Sequence, residues 1–365
     1  MSKAWSNMTA RCEHLIQALE IPYPFDLSIF VEMSSKTLGR RIELIPARIA
    51  MNQLCGLLIS TTDVDHIYFS EDLPPFQSRH TVVHEVGHLL LGHRGLESDG
   101  RHFELVAESN ALRMLLPTLS PTLVQRILGH ASYAAAEERE AELFASLVLS
   151  RSDTSQTDLG SHALNLSSTG TSGFGRRFRL DHLSARTWAE RATRQLTPLW
   201  KQVTSQVPNV VLGNLPSGHL TLTDGAMYQL YRRVLEILDA QLTLRSFIPP
   251  NIADLALEVA AERSHDLVES DVLLAAAEIA ASLDGHRAGS SNPIEDSNAV
   301  VPRRNYSASD LFAEAHWLVR VATAVQRDPD ISLIRHRANA VSAQGYNVEA
   351  RRSASMDGHQ SNQAM

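Results

Sequence analysis

The chain has 365 residues, enough for two domains of ordinary size. Hydrophobic residues make up 44% and charged residues 20%, which predicts globular cores; the formal net charge of -8 argues against general nucleic-acid binding, which needs a basic surface to displace counterions from phosphates. Two cysteines, Cys12 and Cys55, exclude both a disulfide framework and a four-thiolate zinc site, and each reads as a small buried thiol. The start, Met1-Ser2-Lys3-Ala4-Trp5-Ser6, lacks the charged-then-apolar pattern of a secretion signal, and no run reaches the roughly 18 to 20 apolar residues of a membrane span. These features predict a cytoplasmic protein with no membrane span.

Met8, Cys12, Leu15, Ile16 and Leu19 recur at helical spacing, and Ile21-Pro22-Tyr23-Pro24 ends that helix. Asp26 is placed to cap a second helix that carries Leu27, Phe30 and Val31 on one face. Strands are predicted over 42–46, 54–60 and 66–70. Leu73-Pro74-Pro75 breaks the pattern, and a helix over 78–93 follows, ending near Gly92. Further helices are predicted over 103–116, 120–128 and 131–150. Residues 152–175 are rich in Ser, Thr and Gly and read as a flexible linker. The second half is almost purely helical, with periodic segments over 182–205, 224–243, 251–263, 270–284 and 308–326. The reading is an α+β domain over 1–151, a linker over 152–180, a mostly α-helical domain over 181–330 and a disordered tail over 331–365.

The chemistry sits in His84-Glu85-Val86-Gly87-His88. A helix repeats every 3.6 residues, so His84 and His88 share one face and two imidazoles at that spacing can hold one zinc ion, Zn2+. Glu85 is displaced around the helix, misses the metal and reaches the water bound to it, the place of a general base. Gly87 costs about 1 kcal/mol relative to alanine in a helix, which signals a close approach at that point. A third ligand is needed. The metzincin extension requires glycine at 91 and histidine at 94; the chain has Leu91 and Arg94, so that reading fails. A downstream acidic helix offers Glu138, one turn from Glu142, with Glu140 as the substitute. His80 and His93 flank the motif, each either a spare ligand or oxyanion donor, or simply exposed or hydrogen-bonded.

Residues Ile67 through Ala145 resemble the ImmA/IrrE family of bacterial metallopeptidases. The approach to the zinc helix in that family has arginine and, two residues on, threonine; here it is Gln77-Ser78-Arg79-His80-Thr81-Val82-Val83-His84-Glu85-Val86-Gly87-His88. The downstream family element is glutamate, two variable residues, alanine, Asn or Asp, a variable residue and Phe-Ala. Glu138-Arg139-Glu140-Ala141-Glu142-Leu143-Phe144-Ala145 departs from it at Glu142, a longer side chain. The helix end differs too, with Leu149-Ser150-Arg151 in place of the frequent Met-Pro, and residues 96–130 lengthen the interval between the two elements. Over about residues 10–150 the resemblance implies a zincin-like fold and a regulatory endopeptidase. Its substrate is then a separate helix-turn-helix repressor, since no such segment is recognisable in this chain. Family members are also often grouped with toxin–antitoxin modules. The second half resembles, through Leu196-Thr197-Pro198-Leu199-Trp200 and the run from Leu230 to Asp239, an uncharacterised actinobacterial helical domain; both stretches equally read as helix core with a charged outer face.

Three readings therefore stand at the level of sequence. One is a zinc endopeptidase working through His84, Glu85, His88 and Glu138. Another is a zinc-containing module or toxin–antitoxin-type regulator that docks its partner without cutting it. The third is a structural helix with incidental histidines and no metal.

Overall fold

The computed structural model describes residues 3–22, 25–47, 56–60, 63–71, 73–93, 135–155, 182–212, 222–290 and 310–338. Cys55, the segment 96–130 with its two predicted helices, most of the 152–180 linker and the chain beyond 338 lie outside the described residues. The first helices are α1 (Lys3–Ala18) and α2 (Leu27–Leu38). Asp26 caps α2 by accepting from the Ile29 amide, and Gly39 closes it at φ 65°, a left-handed turn that glycine adopts without Cβ strain. Three strands follow, β1 (Arg41–Ala47), β2 (Gly56–Ser60) and β3 (Val64–Ser70). Their order is β1-β3-β2, with β1 parallel and β2 antiparallel to β3. Asp65 is buried in β3, where the fork of Arg40 meets it through Nε and Nη2, each at 2.9 Å. A buried carboxylate needs such a partner, and this one ties the α2–β1 turn to the middle strand.

Helix α3 (Pro75–Leu91) starts three residues earlier than the periodicity predicts. Pro75 stands in the first turn, where a missing N–H costs nothing, so the Pro-Pro pair opens the helix as well as breaking the strand. Val82, Val83 and Val86 are fully buried on it, and it packs on β2 and β3. Helix α4 (Ala135–Ser155) crosses α3, and α1 lies against α4, with Cys12 buried as a free thiol at their contact. Burial, and after it the nearby Glu140 carboxylate, pushes that thiol up to about 12.

The second half supplies α5 (His182–Thr204), α6 (Leu222–Leu244), α7 (Ile252–Glu262), α8 (Leu267–Ala288) and α9 (Leu311–Arg327). A further helix, α10, covers 329–338 and buries Ile331 and Ile334, so residues 331–338 belong to the packed molecule and not to a disordered tail. Helix α6 is the hub. Met227, Leu230, Tyr231, Val234, Leu235, Ile237, Leu238 and Ala240 are all buried, the pattern of a helix covered on every side. Its neighbours are α4, α5, α8 and α9. One contiguous core runs from Cys12 in α1 to Ala338 in α10.

This architecture corrects the expected α+β zincin-like fold. Among the described residues helix accounts for 77% and the sheet has three strands, so the protein is mainly helical. Among the described residues, the strands are short runs of five to seven residues that form one small sheet under α3. Burial of helix faces against one another makes the core instead. Among the described residues, no helix is long and apolar enough to cross a membrane.

Candidate metal centre

Gly87 lets two helices meet. A Cβ there would stand 2.9 Å from Phe144 Cδ1 and 3.6 Å from the Ala141 carbonyl oxygen, so the bare backbone admits α4 against α3. The acidic first turns of α4 are thereby carried over the histidines. His84 Nε2 and His88 Nε2 are 3.0 Å apart. Glu138 Oε2 lies 3.3 Å from His84 Nε2 and 3.7 Å from His88 Nε2. Donors 2.0–2.1 Å from one zinc ion at tetrahedral angles are about 3.3 Å from one another. The three atoms are therefore spaced to share one ion, and two imidazoles with a carboxylate are a donor set that zinc accepts. His88 is buried, whereas the Glu138 side chain is 48% exposed, so the cluster opens on the Glu138 side.

Glu140, the substitute ligand, is engaged elsewhere. It is buried and accepts from Arg11 Nη1 at 2.9 Å and His93 Nε2 at 3.1 Å. His93 Nδ1 in turn lies 3.0 Å from His88 Nδ1. A carboxylate only accepts, so His93 Nε2–H donates to Glu140, and His93 Nδ1 can accept from the His88 Nδ1–H. That leaves the lone pair of His88 on Nε2, facing His84 and Glu138. His93 is thus an orienting partner for His88 and stands outside the donor set.

On the other flank, Glu142 Oε2 accepts from His80 Nε2 at 2.9 Å and lies 3.3 Å from His84 Nδ1, an ion-pair distance at which His84 Nδ1 makes no well-aligned hydrogen bond. Tyr231 Oη, from α6, is 2.9 Å from His80 Nδ1. Burial pulls the His80 ring down, and both of its nitrogens have partners within the protein. His80, His84 and Glu142 form a second group whose donor atoms converge. Arg232 Nη1 already donates to Glu142 Oε1 there, and a guanidinium at that carboxylate opposes a cation beside it.

Without a metal, charge is shared among these groups. Burial pulls the His84 ring down, but Glu138 and Glu142 outweigh it and raise it to about 10. Burial lowers His88 to about 4. Burial would raise Glu138, yet its contacts with His84 and His88 hold it at about 2. Glu85 is buried, and desolvation, opposed by His84, pushes it up to about 7. It sits under the first residue of β2: a Cβ on Gly56 would be 3.0 Å from Glu85 Oε1 and 2.5 Å from Thr81 Cγ2. Glycine at 56 therefore makes the space in which the Glu85 carboxyl lies.

The sequence reading missed Tyr231 and Arg232. One of its two readings of 230–239 put the charges on an outer face, whereas Arg232 and Glu236 are buried. Contacts between residues so far apart in the chain leave no mark in local spacing. The available signal is an arginine and a glutamate one turn apart among the apolar residues Tyr231, Val234, Leu235 and Ile237.

Residues 185–328 match the model of a family described as Family of unknown function (DUF6545). That stretch runs from α5 to α9 and contains Tyr231 and Arg232; His84, His88 and Glu138 lie outside it. No curated protein and no solved structure matches the chain.

Proposed function

We propose that the chain is a zinc-dependent peptidase. The observation that carries this reading is the convergence of His84 Nε2, His88 Nε2 and Glu138 Oε2, with the buried Glu85 one residue from the first ligand. His84, His88 and Glu138 would hold one zinc ion, which supplies an activated water and polarises the scissile carbonyl. Glu85 accepts a proton at its carboxylate and returns it to the departing amine, and a carboxyl raised to about 7 exchanges protons at neutral pH. The half-exposed Glu138 leaves the centre open on one side, as a hydrolytic site requires and a purely structural one does not. The resemblance of residues 67–145 to the ImmA/IrrE family supports a protein substrate, a separate helix-turn-helix regulator cut in a bacterial cytoplasm.

Metal analysis of the purified chain is expected to give one zinc per molecule. Incubation with a library of unstructured peptides, read by mass spectrometry, is expected to give new termini. Glu85→Gln should keep the zinc and lose about 10²–10⁴-fold in cleavage rate, the usual worth of a general base. A Glu85→Gln protein that cuts as fast as the parent overturns the mechanism, and a zinc-loaded parent that cuts nothing overturns the reaction.

A further inference from the structure

We infer that Arg232, on α6 in the second half of the chain, is a positioning residue of the metal centre. It holds Glu142, whose other oxygen faces the back of the His84 ring. The inference rests on the zinc reading above and names a part of the site that lies 90 residues beyond Glu142 in the chain.

The two oxygens of Glu142 are divided between the halves of the molecule. Oε1 accepts from Arg232 Nη1, while Oε2 faces His80 Nε2 at 2.9 Å and His84 Nδ1 at 3.3 Å. Arg232 is buried and fixed from three directions. Besides Glu142, its Nη1 donates to Ser146 Oγ at 3.2 Å and its Nη2 to Glu236 Oε1 at 3.1 Å. Glu236 is itself held by Trp200 Nε1 at 2.7 Å and the Leu212 amide at 3.2 Å. A chain of fixed polar groups thus runs from α5 through α6 and α4 to the back of a zinc-facing imidazole. A histidine ligand generally turns its second ring nitrogen to a carboxylate or carbonyl, which sets the ring plane and raises the basicity of the nitrogen on the metal. Glu142 stands in that place for His84, its Oε2 3.3 Å from Nδ1, an ion-pair distance. Its length matters, because the side chain must reach the imidazoles with one oxygen and α6 with the other. Tyr231, adjacent to Arg232, closes the remaining nitrogen of His80 and keeps that ring out of the metal set.

The test measures metal binding. Zinc affinity of the full chain is determined by competition with a chromophoric chelator, and ligand geometry by the visible absorption of the cobalt-loaded protein. Arg232→Met is expected to weaken zinc about 10- to 100-fold, the usual loss when an outer partner of a metal ligand is removed, and to alter the cobalt bands. Arg232→Lys should recover part of the affinity. Glu142→Gln, which keeps the shape but not the charge, should weaken zinc in the same range and decides the matter if Arg232→Met does not fold. Wild-type affinity and an unchanged cobalt spectrum in Glu142→Gln, or in a folded Arg232→Met, overturn the positioning role while leaving the zinc centre intact. A wild-type chain that binds no zinc overturns the metal reading and this inference with it.

Discussion

His84 is both a candidate ligand and the strongest base of its cluster, and the two roles compete for one nitrogen. With no metal bound, the ring is raised from the ordinary 6.5 to about 10, with burial opposing and Glu138 and Glu142 prevailing. At neutral pH it therefore carries a proton and binds Glu138 as a cation. The sign follows from linkage. A base whose folded value exceeds its unfolded one stabilises the metal-free fold fully below about 6.5, and that contribution fades as pH rises towards 10. Zinc must displace this proton, because only the neutral ring ligates. His88, lowered to about 4, is already neutral, and Glu138, at about 2, is already ionised. Glu85 loses its own proton near 7. At pH 8.5, between the titrations of Glu85 and His84, zinc binding is expected to release two protons per ion, one from His84 and one from the bound water, and affinity should fall about tenfold or more per unit as pH drops. Calorimetric titrations in buffers of different ionisation enthalpy give the count directly. A count of one or fewer means that His84 does not exchange its proton for the metal.

At the scale of elements, the site depends on how closely α3 and α4 approach. Gly87 lies between the two histidines, and a Cβ there would fall 2.9 Å from the buried ring of Phe144. Gly87→Val forces the helices apart or turns that ring, and an overpacked core costs about 1–3 kcal/mol. The expected outcome is a fall in stability of that order by urea denaturation, together with weaker zinc binding, since Glu138 moves away with α4. A variant as stable as the parent means that the helices have room to spare. Both this glycine and its neighbours were legible in the sequence. One helical turn between His84 and His88 puts them on one face, a costly glycine marks a contact, and an acidic turn leading into Leu143-Phe144-Ala145 marks a helix with one buried side. Asp26 as a cap and the three β-rich runs were equally local. The strand order β1-β3-β2 and the Glu142–Arg232 pair were not, because each depends on what packs from elsewhere in the chain. Glu142 shows the difference best. As a sequence position it is a departure from a pattern; in the fold its extra length is what spans from the histidines to α6.

The whole molecule joins its halves through α4, which meets α3 on one side and α6 on another. A change of composition after Ser150 marks a boundary along the chain and carries no information about packing. In the fold, Gln77 Nε2 donates to Asp239 Oδ1 at 3.1 Å, Tyr231 meets His80, Arg232 meets Glu142, and Phe76 stacks at 5.1 Å from the Tyr231 ring. Such buried polar contacts cost several kcal/mol if one side is removed and the other left unpaired, so neither half can leave without stranding charge in the other. The core is also continuous across the junction. The expected consequence is a single thermal transition for the full chain, with calorimetric and van't Hoff enthalpies equal. Zinc should shift that transition as a whole, adding about 2.7 kcal/mol of stability at a hundredfold excess over its dissociation constant. Scanning calorimetry with and without zinc tests this. Two transitions, with zinc moving only one of them, would mean that the centre belongs to the first 155 residues alone and that α6 merely rests against it. One transition moved intact by an ion bound on α3 and α4 would mean that stability gained at the metal is felt by all ten helices described.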